Sequence, residues 1–496
     1  MNKTAAILAS SERFNALFSP EGIAVIGVNS HPAKFGFVAA HNILRHDYCG
    51  RVFLVKRDSG ELLGEKCLES VDDIPDGAVD LAFICTPAAA NPDILRSCAA
   101  KGVKAAFVVS AGYGEAGPEG REAQAELVKL CEELGILLAG PNGQGLVSPP
   151  VGLCAQIVAP MPLPGNIGVV SQSGNLVSSF MNLVEGTGIG ISRGISAGNC
   201  AALGVADYLE YFAQDPETAV SLAYLEGLPD GRTFFDRAKK ASRVQPLVLL
   251  KGGVTSGGAK AAASHTGSLA SNDRIFHGMC RQAGISRVAD VEEAVDTASA
   301  FSVLPLPRGR NVFVLTTAGG WGVLTADRIS RSRDLSLMDI PPDIMAGFDA
   351  KLPSRWSRSN PADLAGGETR DTLPECLELV VAHPDVHAVV LLGLGIQSNQ
   401  AHLAREGKFY PDNGLERICK YHERQDMRYA DAVVDLMSEY DKPVLVATEL
   451  AAVQPDNPGP ARLRACGVPC FSTSHRAVTA LEHLARYAKY RETRGI

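Results

Sequence analysis

The residue best placed to do chemistry is a histidine. His265 sits in AAASHTGSLASNDRIF, residues 261–276, among side chains too small to crowd an imidazole. The run has neither helical nor strand periodicity, so the ring is expected on a loop, where it can attack phosphorus as a nucleophile. A carboxylate that accepts from one ring nitrogen fixes the tautomer and leaves the other nitrogen free to attack. Glu226, ending the apolar run of SLAYLEGLPDGR, is the candidate for that carboxylate. Taken singly, His265 also reads as a loop histidine with one hydrogen bond, and Glu226 as an ordinary strand-end acid.

Two stretches suit the phosphoryl group itself. In VVSQSGNLVSSF, the small residues Ser171, Ser173, Gly174 and Asn175 leave the amides of a starting helix uncovered. TTAGGWGVLTAD repeats the pattern with Gly319, Gly320 and Gly322 around Trp321. Two positive helix ends are expected to clamp one small dianion, although Ser and Asn are equally ordinary helix caps. The first loop, GVNSHPAKFG, has glycines at 27 and 36 and misses the GxGxxG dinucleotide spacing. A nicotinamide oxidoreductase is therefore unsupported. A strand, glycine loop and helix still offer amides to the phosphates of a nucleotide-like cofactor, and a plain tight turn reads the same way.

Parallel α/β units are what would position these loops. Apolar runs IAVIGV, VFLV, LAFICTP, AAFVVSAG and ILLAGPNG alternate with helix-like segments, the signature of βαβ units and a parallel sheet. The 496 residues predict about three domains. Proline-rich VSPPVGLCAQIVAPMPLPGN and SVLPLPRGR read as separators, which gives domains at 12–150, 151–305 and 306–496. A polar charged block, residues 401–431, lies between the runs VVLLGLGI and PVLVATE and reads as an insertion at a strand's carboxyl end.

Composition narrows the partners. Lys and Arg number 47 against 55 acidic residues, a net charge of −8, so no global field favours nucleic acid or an anionic membrane. The N-terminus lacks the apolar core of a secretion signal, and the longest apolar run, Ala388 to Ile396, is too short to span a bilayer. A cytoplasmic location is expected. The 12 cysteines are scattered, and the CxxxC pair Cys466/Cys470 has no second ligand pair, so reduced, mostly buried thiols and no metal site are expected.

Six motifs in order carry a family resemblance over about residues 12–490. They are SERFNALFSPEGIAVIGV with Pro32 and Gly36, SAGYGEAG, GPNGQGL, SQSGNL, YLEGLPDGR and KGGVTSGGAKAAASHTGSLA. The chain resembles the NDP-forming acyl-CoA synthetase superfamily, the relatives of succinyl-CoA synthetase and of ADP-forming acetate–CoA ligase. The resemblance implies a Rossmann-like CoA-binding domain followed by two flavodoxin-like ligase domains, in the order of the α subunit of the two-subunit ligases. It implies that His265 is phosphorylated in turnover and oriented by Glu226. CoA is assigned to the Gly27, Val28, Asn29, Ser30 and Pro32 loop, to Thr86 and Pro87, and to the loop bearing Ser110 and Glu115. Lys56, also assigned to CoA, and Arg57 stand where relatives have Asn-Pro, a change expected to alter the contact with CoA's phosphates, and Gly143, after Asn142, stands where they commonly have Cys or Thr. The second change is expected to alter the acyl pocket.

Nothing in the chain resembles the ATP-grasp module with which such enzymes bind nucleotide. The expected activity is therefore that of an α-type acid–CoA ligase subunit in an oligomer. An ATP-grasp β-type partner would hold ATP or ADP with Mg, and the substrate would be a small carboxylic acid. The alternative is a non-catalytic CoA or acyl-CoA binder on the same scaffold, which would need neither His265 nor Glu226.

Overall fold

A computed structural model describes residues 11–158, 160–228, 230–260, 272–364 and 370–496. The chain forms two compact units, Met1–Glu185 with Gly190–Ala294, and Gly186–Ile189 with Val295–Ile496.

The first unit holds two sheets. One is built from β1 (Gly22–Ile26), β2 (Arg51–Val55), β3 (Gly60–Leu62), β4 (Glu65–Leu68), β5 (Leu81–Ile84), β6 (Ala105–Val108) and β7 (Leu137–Ala139), in the order β3-β4-β2-β1-β5-β6-β7. All its pairings are parallel except β3 with β4. Strands β1, β5, β6 and β7 are buried at every residue, which is why they read as unbroken apolar runs rather than alternating ones. From β4 to β7 the order is that of a dinucleotide fold, with its switch point between β1 and β5.

The second sheet contains β8 (Gly145–Ser148), β9 (Leu153–Gln156), β10 (Pro164–Ser171), β11 (Ile191–Ser196), β12 (Val220–Leu225), β13 (Leu247–Lys251) and β14 (Ser286–Val288). Its order, β14-β13-β12-β10-β11-β8-β9, is flavodoxin-like with an antiparallel hairpin added at one edge. That hairpin takes up residues 147–156 of the stretch read as a separator. Leu146, Val147, Leu153, Cys154 and Ala155 are fully buried. Pro149 and Pro150 fall in the one-turn helix Pro149–Val151 between the strands, where a missing amide breaks no ladder.

One core runs through both sheets. Phe83 and Phe107 of the first belong to the same buried cluster as Leu146, Ile195, Tyr208 and Phe212 of the second. The helix Ser11–Phe18 adds Phe14 and Phe18, whose rings stack on Tyr211 at 4.8 and 5.3 Å.

The second unit holds β15 (Asn311–Thr316), β16 (Ser336–Leu337), β17 (Ala362–Asp363), β18 (Ala388–Leu392), β19 (Val444–Ala447) and β20 (Cys470–Phe471), all parallel. The order β16-β15-β18-β19-β20 is again flavodoxin-like, with β17 beside β15. The polar block expected as an insertion lies between β18 and β19. There the helix Ile396–Glu406 is followed by the 26-residue helix Leu415–Tyr440. All twelve cysteines are free, seven of them buried. No helix among the described residues is long and apolar enough to cross a membrane.

Within the second sheet, Arg193 is 5% exposed. Its Nε lies 3.2 Å from the Asp215 carboxylate, and its Nη1 donates to Ser148 Oγ at 2.8 Å. Removing one partner of a buried pair strands the other charge. Asp215→Ala is expected to cost about 3–5 kcal/mol, whereas Asp76→Ala, in the exposed pair with Lys101, costs at most about 1 kcal/mol. Urea unfolding midpoints of the two variants check this, and equal shifts would contradict it.

Candidate functional site

The loop after β1 turns at Gly27, where φ is +85° and an added Cβ would stand 2.8 Å from Thr86 Cγ2. The next helix, Phe35–Leu44, comes equally close, since a Cβ on Gly36 would lie 2.3 Å from the Gly27 carbonyl oxygen. Glycine at both places lets the strand end, the loop and the helix start pack main chain to main chain. Outside the carboxyl ends of β1, β2 and β5 this leaves a cleft of about 950 Å³, at the switch point of the sheet.

Gly27, Val28, Asn29, Ser30, Lys56, Thr86 and Pro87 line that cleft, as does Arg57. The lining also includes Asp58, Glu69 and Asp93, acids that the sequence reading did not select. Asn29 Oδ1 accepts from the His31 amide at 2.8 Å, which orders the loop. Pro32, Ser110 and Glu115 do not line the cleft.

Ser110 and Glu115 lie in the neighbouring loops. Asn91, fully buried, accepts from Thr86 Oγ1 at 2.9 Å and donates to Ser110 Oγ at 3.0 Å and Tyr113 Oη at 2.8 Å. It therefore ties the ends of β5 and β6 together. Its sequence context, AAANPDIL, reads only as a helix start. Glu115 accepts from the Gly112 and Tyr113 amides at 2.6 and 3.1 Å and from Asn199 Nδ2. Burial would raise its pKa, but these hydrogen bonds outweigh burial and hold the carboxyl below its usual range.

Asn199 carries the connection to the second sheet. Its side chain also donates to Gln124 Oε1 at 3.0 Å and accepts from Asn142 Nδ2 at 3.2 Å. Around Asn142 the GPNG and SAGN loops touch through their backbones. A Cβ on Gly143 would stand 2.5 Å from the Ser196 carbonyl oxygen and 2.7 Å from Phe107 Cζ. In this packing residue 143 has no room for a side chain.

At the end of β10, Ser171 Oγ accepts from the Ser173 amide at 3.0 Å and donates to the Ser173 carbonyl at 2.6 Å. This turn delivers the chain into the helix Gly174–Glu185. Asn175 Oδ1 accepts from Gln144 Nε2 at 3.2 Å, and Gln144 also closes over Gly174. Thr316 makes the same turn at the end of β15 in the second unit. Its Oγ1 accepts from the Ala318 amide and donates to the Ala318 carbonyl, both at 2.9 Å, before the helix Gly319–Ser330. The environment differs there, because the Asp363 carboxylate packs against Gly319, 2.5 Å from where a Cβ would lie, while nothing approaches Gly320. The two helix starts belong to different units.

Glu226 is buried, 8% exposed, just past the end of β12. Its amide donates to Gln172 Oε1 at 2.6 Å, and Gln172 Nε2 donates to the Gly227 carbonyl at 3.3 Å. The loop is thus clamped to the end of β10 by a residue that sequence reading passed over. Tyr224, two positions earlier and so on the same side of the strand, hydrogen-bonds to Glu226. Burial and then the Glu226 charge push Tyr224 up to about 12. Spacing alone could have suggested Tyr224, since YLE places an alternating pair at a strand end. His265 lies outside the described residues.

Three family models match in order along the chain. A CoA binding domain covers residues 21–148, a succinyl-CoA ligase like flavodoxin domain covers 164–301, and a ligase-CoA domain covers 312–396. The α subunit of the ADP-forming acetate–CoA ligase I of Pyrococcus furiosus is 35% identical over 381 residues, 76% of this chain and 82% of that one. The ADP-forming acetate–CoA ligase I of Archaeoglobus fulgidus is 31% identical over 95% of this chain and 63% of its own length. Among solved structures, a dinucleotide-forming acetyl-coenzyme A synthetase 1 of Ca. Korarchaeum cryptofilum, in complex with phosphate and ADP, superposes with a TM-score of 0.83. It has 31% identity and covers 97% of both chains. Likeness of this extent runs through all three sheets and the loops at their carboxyl ends, and on it the chain belongs to the family of ADP-forming acid–CoA ligases.

Proposed function

We propose that this chain is the α-type subunit of an acid–CoA ligase, interconverting acyl-CoA and phosphate with free acid and CoA while its histidine carries the phosphoryl group. The observation that supports this best is the hydrogen-bonded path Glu115–Asn199–Asn142. It joins the loops beside the cleft of the first sheet to the polar platform at the carboxyl end of the second. A thioester held in one and a phosphoryl acceptor gathered at the other would share one rigid frame.

CoA fits the cleft by shape and charge. Gly27 provides a cradle that a Cβ would fill, and Lys56 and Arg57 supply cations for its phosphates. Phosphate attacks the thioester carbonyl, the C–S bond breaks, and CoA leaves as the thiolate to give an acyl phosphate. His265 then attacks phosphorus through one ring nitrogen, and the P–O bond to the acyl group breaks, releasing the carboxylate. Glu226, accepting from the other ring nitrogen, holds the tautomer and balances the positive charge that phosphorylation places on the ring. The amides at Ser171, Ser173, Gly174 and Asn175, with the hydroxyls of the two serines, stabilise the phosphoryl charge in transit. An ATP-grasp partner would hold the nucleotide and Mg that exchange the phosphoryl group with phosphohistidine.

His265 should become phosphorylated when the chain meets acyl-CoA and phosphate without nucleotide. Intact mass would show an acid-labile gain of one phosphoryl group, lost in His265→Ala, and its absence from wild type would count against the relay. Glu226→Gln should slow that phosphorylation by roughly 10²-fold and leave CoA affinity unchanged. Calorimetry with CoA checks the second half, and a parallel loss of CoA affinity would mean that the substitution disrupts the fold. ATP-dependent thioester synthesis should require an added ATP-grasp subunit. Robust synthesis by the purified chain alone, absent in His265→Ala, would overturn the partner requirement, and silence with every such subunit would favour a non-catalytic CoA binder.

A further inference from the structure

The helix Leu415–Tyr440 is 26 residues long and packs by one face, where Cys419, Asp426, Ala430, Val433 and Met437 are buried. At 3.6 residues per turn, the opposite face carries Arg417, Lys420, Arg424 and Met427, then Asp431, Asp435 and Ser438, in one continuous stripe. Met427 is 36% exposed and Asp431 half-buried, while the other five are exposed. We propose that this stripe is the contact surface of a homodimer, in which the helix lies antiparallel against the same helix of a second copy, about a two-fold axis beside Met427 and Arg428. The proposal does not depend on the ligase reading. The ligase-CoA family model stops at residue 396, so the contact belongs to a helix beyond the part of the chain that it matches.

Charge along the stripe falls into two blocks. The amino-terminal half is basic, with Arg417, Lys420, Arg424 and Arg428, and the carboxyl-terminal half is acidic, with Asp431, Asp435 and Glu439. A uniformly acidic partner would be attracted by one half and repelled by the other, and a uniformly basic partner likewise. The complement of a two-block surface is the same surface reversed, which is what a two-fold axis supplies. With the axis between residues 427 and 428, Lys420 stands opposite Asp435 of the second copy, Arg424 opposite Asp431, and Arg417 opposite Ser438 and beside Glu439. Each contact is made twice, and Met427 gives the axis a small apolar centre. A parallel pair would set like charges against like.

The charges needed for this contact are available. Arg417, Arg424, Asp435 and Glu439 form no salt bridge among the described residues, whereas Arg428 is held by Asp371 at 2.7 Å and Asp431 by Arg462 at 2.6 Å. The acids of the basic half are engaged within the chain, Glu416 with Lys420 at 2.6 Å and Glu423 with Arg405. The helix is also fixed in advance, since Asp426, 2% exposed, accepts from the Ser398 amide at 2.6 Å, so little order is left to impose on association. Exposed ion pairs are individually weak and screened by salt, which makes the dimer micromolar and salt-sensitive.

Sedimentation velocity of the full chain over a range of concentrations tests this. Wild type should dimerise at low salt, and high salt should weaken the dimer at least ~10-fold. One variant, Arg417→Glu with Lys420→Glu, makes both ends of the face acidic. A second, Asp435→Lys with Glu439→Lys, makes both ends basic. Each should weaken its own dimer at least ~10-fold with the melting temperature unchanged. An equal mixture of the two should regain dimers of wild-type affinity, because acidic ends then meet basic ends, a recovery that a merely disturbed helix would not give. A wild type that stays monomeric, a dimer that neither variant weakens, or a mixture that fails to pair would each overturn the proposal. So would a monomeric chain that binds an added ATP-grasp subunit and loses it in both variants, which would assign the face to that partner instead.

Discussion

Main chain must touch main chain where the loops of the first two sheets meet, and the rest of the site depends on that contact. A Cβ on Gly143 would stand 2.5 Å from the Ser196 carbonyl oxygen, and one on Gly198 would stand 2.2 Å from that of Pro141. Loops this close exclude water, so their polar groups must satisfy one another. The Asn199 amide donates to the Pro141 carbonyl at 2.9 Å, the Ala201 amide to Gly140 at 3.2 Å, and the Asn142 amide to Ser110 at 3.1 Å. Only with the backbones so joined can Asn199 reach both Glu115 and Asn142.

Side-chain positions at the edges follow from the same closeness. A strand-final hydroxyl, Ser171 or Thr316, bonds the amide and carbonyl two residues on and turns the chain into a helix. The same local device in two flavodoxin-like sheets gives two helix starts of similar backbone and different surroundings. Gln144 covers the first, and the Asp363 carboxylate stands against the second. A carboxylate at a positive helix end competes with any phosphate there, so the two starts are not electrostatically equivalent.

Buried and half-buried polar residues set the rigidity of these edges. Asn91 joins β5 to β6, Gln172 holds the loop of Glu226, and Asp426 anchors the inserted helix to the first turn of the helix Ile396–Glu406. Each would be costly to bury unpaired, and each is hydrogen-bonded across a gap between two elements. The loops are therefore held by directional bonds that specify one arrangement, where apolar packing alone would accept several.

The residues alone determine the parallel α/β class, because fully buried parallel strands leave unbroken apolar runs such as LAFI and AAFV, and the small-residue loops after them are equally visible. They also mark Glu226 and the loop from Gly27 to Ser30 as candidates, since strand ends and glycine turns have local signatures. The hairpin at residues 145–156 was hidden by its prolines, which signal a break whether or not strands flank it. Asn91, Gln172 and Asn199 were hidden for another reason: their partners lie 19, 54 and 84 residues away in Ser110, Glu226 and Glu115. Periodicity and turn propensity are properties of neighbouring residues. A hydrogen bond across two sheets depends on where separate strands end in space, and that was decided only when the tertiary fold brought those ends together.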